Sequence, residues 1–140
     1  MSRQAVIQSH LEALMQQVLG VDELKVTDEG RVLVTTDVAG YTARVCPVCD
    51  NPHLEVYSVA IEDVDADPGL YEALNDLNRR LSHCRVFWVD RRVIVAGELL
   101  GESADVRGLH CLCDEVATIA DKHGPRLAGI FGGTTGEEDE

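Results

Sequence analysis

At 140 residues the chain has room for one complete hydrophobic core and not for two. Its 45% hydrophobic content is that of a globular domain, and with one Trp, two Phe and three Tyr the core must come from Val, Leu, Ile and Ala. A formal charge of -13 repels nucleic acid and anionic lipid and argues against an acidic substrate, which leaves basic or neutral proteins as partners.

The first twenty residues hold neither a continuous apolar run nor a cationic leader, so no signal peptide is expected. No stretch approaches the roughly eighteen apolar residues that cross a bilayer. Cytoplasmic residence follows as the expectation. Five cysteines, an odd number, suit a reducing compartment better than a disulfide framework.

In chain order, Ser2 can cap a first helix ending at Leu19, with Gly20 as its left-handed stop. Its apolar stripe is Val6, Leu11, Leu14 and Val18, widened by Ile7, Met15 and Leu19. Residues 24–27 and 31–36 read as strands joined through Asp28, Glu29 and Gly30, and residues 41–46 and 54–61 as a second pair. In the last of these, Leu54, Val56, Ser58 and Ala60 alternate with Tyr57, Val59 and Ile61, and Glu55 is the one charge, which predicts a central strand. Asp67 and Pro68 then open a second helix whose stripe is Leu70, Leu74, Leu77 and Leu81. Residues 85–89 and 92–99 form a hairpin turning at Asp90 and Arg91, apolar on both faces. A third helix is expected from Ala104 to His123, capped by Ser103 and stopped by Gly124 and Pro125.

The fold class predicted is α+β: an antiparallel sheet with three helices in the order α-β-β-β-β-α-β-β-α. Residues 1–124 form the single domain of this reading. Residues 125–140 are expected to be a flexible Gly-rich tail ending in Glu137, Glu138, Asp139 and Glu140.

Chemistry has one local candidate. Cys46-Pro47-Val48-Cys49 can turn two thiolates onto one zinc ion, and His53 is near enough to supply a third ligand. A fourth would come through the fold, from Cys84, His110, Cys111 or Cys113. Redox use of this turn is disfavoured by Asp50 beside it, since an acidic setting raises the energy of a thiolate. No Ser-His-Asp set is present. The acidic run 62–67 lacks the central Gly and distal Glu of a calcium loop, and Gly129 to Thr135 lacks the lysine of a phosphate loop. No catalytic residue and no cofactor motif is therefore assigned.

The first amphipathic helix, the segments LEVYSV (54–59) and LYEALNDLN (70–78), and the hairpin leading into the third helix resemble the bacterial YbjN-like family. Its fold is that of type III secretion chaperones, and the resemblance covers about residues 2–123. It implies a small, acidic, cytoplasmic homodimer that holds an extended polypeptide along apolar grooves without covalent chemistry. Leu70, Leu74 and Leu77 on the second helix and Trp88, Val93 and Val95 on the hairpin are the expected protein-binding or pairing residues. The alternative is a small zinc-stabilised regulatory protein using Cys46, Cys49 and His53.

Overall fold

The computed structural model describes residues 2–46 and 52–135. Its elements are α1 (Arg3–Leu19), β1 (Lys25–Val26), β2 (Val32–Val34), β3 (Tyr41–Cys46), β4 (His53–Glu62), α2 (Pro68–Arg80), β5 (Arg85–Val89), β6 (Arg92–Leu100) and α3 (Val106–Phe131). This is the predicted order, with every strand pairing antiparallel in one six-stranded sheet, β1-β2-β3-β4-β6-β5.

Helix α1 starts where Ser2 accepts a hydrogen bond from the Ala5 amide at 3.0 Å and stops at Gly20, whose φ of 68° is left-handed. Its buried residues are Ile7, Leu11, Leu14 and Met15. Val6, expected in the stripe, is 51% exposed: Ile7 takes the inward position one residue on, about 100° round the helix.

Hairpin β5–β6 turns at Asp90 and Arg91, both with positive φ (51° and 64°), which is the two-residue turn matching the twist of paired strands. Strand β4 lies centrally, as its composition predicted. A bulge between Val59 and Ile61 alters one expectation. The extra residue puts Ile61 opposite Val93, so Ile61 turns into the core beside Ala60 instead of joining Tyr57 and Val59.

All three helices lie on one face of the sheet. Helix α3 crosses β4 and β6, where a Cβ at Gly97 would sit 2.5 Å from Leu112 and one at Gly124 would sit 2.9 Å from the Ala60 carbonyl oxygen. Helix α1 packs beside α3 on β3. Helix α2 covers β5: the Asn78 side chain donates to the Val86 carbonyl and accepts from its amide, both at 2.9 Å. Between helices and sheet lies one core, containing Leu11, Met15, Leu54, Val56, Leu70, Val93, Val95, Leu109 and Val116, each under 2% exposed.

Helix α3 departs most from expectation. Its cap is Asp105, whose carboxylate accepts from the Gly108 amide at 2.8 Å, and not Ser103. It also runs through Gly124 and Pro125 to Phe131. An interior proline costs about 3 kcal/mol through its missing N–H and ring clash. Burying Leu127 (2% exposed) and packing Phe131 on the core offset that, at about 1.5–3 kcal/mol for a fully buried side chain. Pro125→Ala should therefore raise stability, by about 1–3 kcal/mol, read as a higher urea midpoint at unchanged slope. A lower midpoint would show that the helix depends on the proline.

Candidate functional site

With the helices on one side, the opposite face of the sheet carries no helix among the described residues. Its side chains follow from the register. Thr42, Tyr57 and Ala96 lie in one row with Arg85; Val59, Ile94 and Phe87 lie in the next. Tyr57, Val59, Phe87 and Ile94 are each half-buried and adjacent across three strands, β4, β6 and β5. Val89 extends the apolar strip to the outer edge of β5, which has no strand beyond it among the described residues.

A charged ladder borders this strip. Glu55, only 8% exposed, lies 2.7 Å from Arg44 and 3.6 Å from Arg85, while Glu98 lies 3.5 Å from both Arg85 and His53. Burial opposes the Arg44 charge, yet the hydrogen bond and charge of Glu55 outweigh it and raise the guanidinium pKa above its ordinary value. The two arginines also sit over aromatic rings, Arg44 at 5.6 Å from the Tyr57 centroid and Arg85 at 5.5 Å from that of Phe87. The ladder thus holds the rings in place and leaves their far edges open.

On the β1–β3 side the face deepens into a groove of about 430 Å³, lined by Lys25, Leu33, Thr42, Tyr57, Val59, Glu62 and the 34–41 turn. That turn is fixed from below. The Asp121 carboxylate of α3 accepts from the Ala39 amide at 3.2 Å and the Thr36 hydroxyl at 3.3 Å, and Ser58 donates to the Gly40 carbonyl at 2.6 Å. Gly40 is required: φ is 70° and a Cβ would lie 2.9 Å from the Val34 carbonyl oxygen.

A second hollow, about 400 Å³, separates the end of α2 from α3 and holds His83, Cys84, Asp114 and Glu115. Burial, followed by the Glu115 carboxylate at 3.7 Å, pushes the Cys84 thiol up to about 12. Burial likewise pushes Cys113 up to about 11. Both stay protonated at neutral pH, which is the wrong state for a nucleophile.

The sequence-predicted residues are placed unequally. Leu70, Leu74, Leu77, Val93 and Val95 are all within the chain's own core, at 4% exposure or less. Trp88 is half-buried against α2; its indole N–H donates to the Val64 carbonyl at 2.9 Å and its ring meets Tyr71 edge-on at 6.2 Å. Cys46 and His53 are cross-strand neighbours, Cys46 buried and His53 paired with Glu98, while Cys49 lies outside the described residues. Among the described residues no group of three or more His, Cys, Asp or Glu side chains is placed to hold a metal ion. Sequence reasoning missed Phe87, Ile94 and Val59 as a joint surface. Their shared parity was visible, but nothing local says which parity the helices leave uncovered.

A family model described as T3SS (YopN, CesT) and YbjN peptide-binding chaperone 1, TY-Chap1, matches residues 5–139. The chain belongs to this family. The resemblance read from the first helix, the 54–59 and 70–78 segments and the hairpin is thereby borne out. Solved structures share the TY-Chap1 fold. The crystal structure of the ExsC–ExsE complex contains a chain with a TM-score of 0.67 at 16% identity, covering 91% of this chain and 96% of that one. The Yersinia pestis type III secretion chaperone SycH, in complex with a stable fragment of YscM2, gives 0.59 at 18% identity, covering 82% and 97%. The HopA1–SchA chaperone–effector complex gives 0.63 at 11% identity, covering 90% and 96%. At these identities the likeness speaks for the fold. No curated protein matches the chain in direct sequence comparison.

Proposed function

We propose that this TY-Chap1 protein is a non-catalytic, polypeptide-binding chaperone or regulator whose binding surface is the helix-free face of the sheet. The observation that carries this reading is the contiguous, half-exposed strip of Tyr57, Val59, Phe87 and Ile94 on a face that no helix covers among the described residues. A surface of that kind accepts alternate apolar side chains of an extended segment. The family description, peptide-binding chaperone, supports the same role, as do structural neighbours solved as chaperone–effector or chaperone–fragment complexes. The charge of -13 favours basic segments through long-range attraction.

The protein of this reading is cytoplasmic and carries out no reaction. No helix among the described residues is long and apolar enough to cross a membrane. It pairs as a homodimer through α2 and the β5–β6 hairpin. There Leu70, Leu74, Leu77, Val93 and Val95 are the rigid floor, and Trp88, with the exposed Tyr71, is the accessible fringe.

Two measurements test the reading. Binding of the purified protein to an array of 15-residue peptides should select segments with alternating apolar and basic residues; uniform absence of binding would overturn the chaperone role. Light scattering coupled to size-exclusion chromatography should give a mass of two chains across a concentration series, and a persistent one-chain mass would overturn the dimer.

A further inference from the structure

On the helix side of the sheet, opposite the apolar strip, α3 carries a surface of the other charge sign. Ile119, Lys122, Arg126 and Ile130 fall within about a quarter of the helix circumference and span about 16 Å, at 100° and 1.5 Å per residue. Lys122 and Arg126 are exposed, Ile119 is half-buried and Ile130 is 63% exposed. Arg80, the last residue of α2, lines the same hollow as Thr118 and Ile119, so a third cation stands across the seam between the two helices.

These cations are gathered and left without carboxylates. The Arg126 guanidinium donates to His123 Nδ1 at 2.9 Å. Burial, then the charges of Arg126, Lys122 and Arg80, lowers the His123 pKa, so the imidazole is neutral at pH 7 and that nitrogen can accept. The nearby carboxylates are engaged elsewhere: Asp76 lies 3.7 Å from Arg79, Glu115 lies 3.4 Å from His83, and Asp121 holds the 36–39 turn. Among the described residues none forms an ion pair with Arg80, Lys122 or Arg126. In a chain with 25 Asp and Glu and 12 Lys and Arg, compensating side chains are plentiful, yet the repulsion within this cluster is uncompensated. Carboxylates of a partner would relieve it.

The form of the surface selects among anions. A lone phosphate is held by backbone amides at a helix N-terminus or by converging guanidiniums. Here Lys122 and Arg126 stand inside α3, and Arg80 stands at the negative, C-terminal end of the α2 dipole. Along α3 the order is apolar, cation, cation, apolar, which complements one face of an amphipathic helix with carboxylates between two apolar anchors.

We propose that the α2–α3 seam binds an acidic amphipathic helix of a partner protein, through Arg80, Lys122 and Arg126 and the flanking Ile119 and Ile130. The chain's net charge repels such a partner at long range, but screening over about 8 Å at physiological ionic strength leaves the local contacts to decide. Occupancy of the seam is independent of the peptide-binding strip on the other face.

The test titrates the full chain, followed by amide NMR, with a helical peptide of about 18 residues built from Ala, Glu and two Leu on one face. A second peptide carries Gln for every Glu. Shifts centred on Arg80, Ile119, Lys122, His123 and Arg126 are expected with the Glu peptide, and binding about tenfold weaker in Lys122→Glu/Arg126→Glu. Lys122→Gln/Arg126→Gln should give a smaller loss, and serves if the reversed charges unfold the chain. Equal affinity for the two peptides, or shifts centred on Phe87 and Ile94, would overturn the proposal. The same shifts from inorganic phosphate at equal concentration would make the seam a small-anion site and overturn it. Shifts at these residues in the unliganded chain on changing Glu137, Glu138 and Glu140 to Gln and Asp139 to Asn would make the chain's own tail the occupant, and overturn it likewise.

Discussion

Replacing Phe87 and Ile94 together by threonine is expected to weaken peptide binding by about 30- to 100-fold while leaving the protein folded. The two side chains are cross-strand partners at the centre of the helix-free strip, both half-buried, and neither reaches the core between sheet and helices. Loss of their apolar contacts removes about 2–3 kcal/mol from an interface centred on them. Threonine keeps the branched shape that strands favour, so the sheet should lose no more than about 1–2 kcal/mol. The measurement is fluorescence titration of an array-selected peptide, with urea unfolding of the same sample. Unchanged affinity in a folded double variant would move the binding surface off this face. An Asn75→Ala control, on exposed α2 surface, should leave affinity unchanged.

The second large effect is on stability. Leu109→Ala should cost about 2–5 kcal/mol, because Leu109 is 0% exposed near the start of α3, the helix that bears on α1, β3, β4 and β6. In a chain of this size that corresponds to a fall in Tm of about 5–15 °C. A urea midpoint lowered at constant slope would confirm a simple cavity effect; a change of less than about 0.5 kcal/mol would mean that the site collapses around the smaller residue.

Much of the fold was legible because its signals are local. Ser2 and Gly20 bound α1, Asp67 and Pro68 start α2, and β3 and β5 fall on their alternating segments. The misreadings share one cause. Ile61 changes face because a bulge inserts a residue, and α3 passes Pro125 because Leu127 and Phe131 gain burial beyond it. In both, contacts with distant residues outweigh the local preference, and a window of ten residues cannot contain them. The candidate site was half visible. The sequence showed that Val86 and Trp88 share one parity and Phe87 and Val89 the other, and that both are apolar. It assigned the surface role to Leu70, Leu74, Leu77, Trp88, Val93 and Val95, and five of these six are enclosed in the core of a single chain.

By itself, then, the sequence determined the number, type and order of the elements and, through the resemblance they carry, the family. Periodicity, caps and turn residues act over a few positions and survive outside any tertiary context. Only the tertiary structure decided which apolar parity stays open. That choice is made where Leu112 of α3 seats on Gly97 and Asn78 of α2 clasps Val86, contacts that commit α3 and α2 to one face, with α1 packed beside α3 on it. The uncovered residues of the other face are defined by what does not pack on them, and no residue's own chemistry records that.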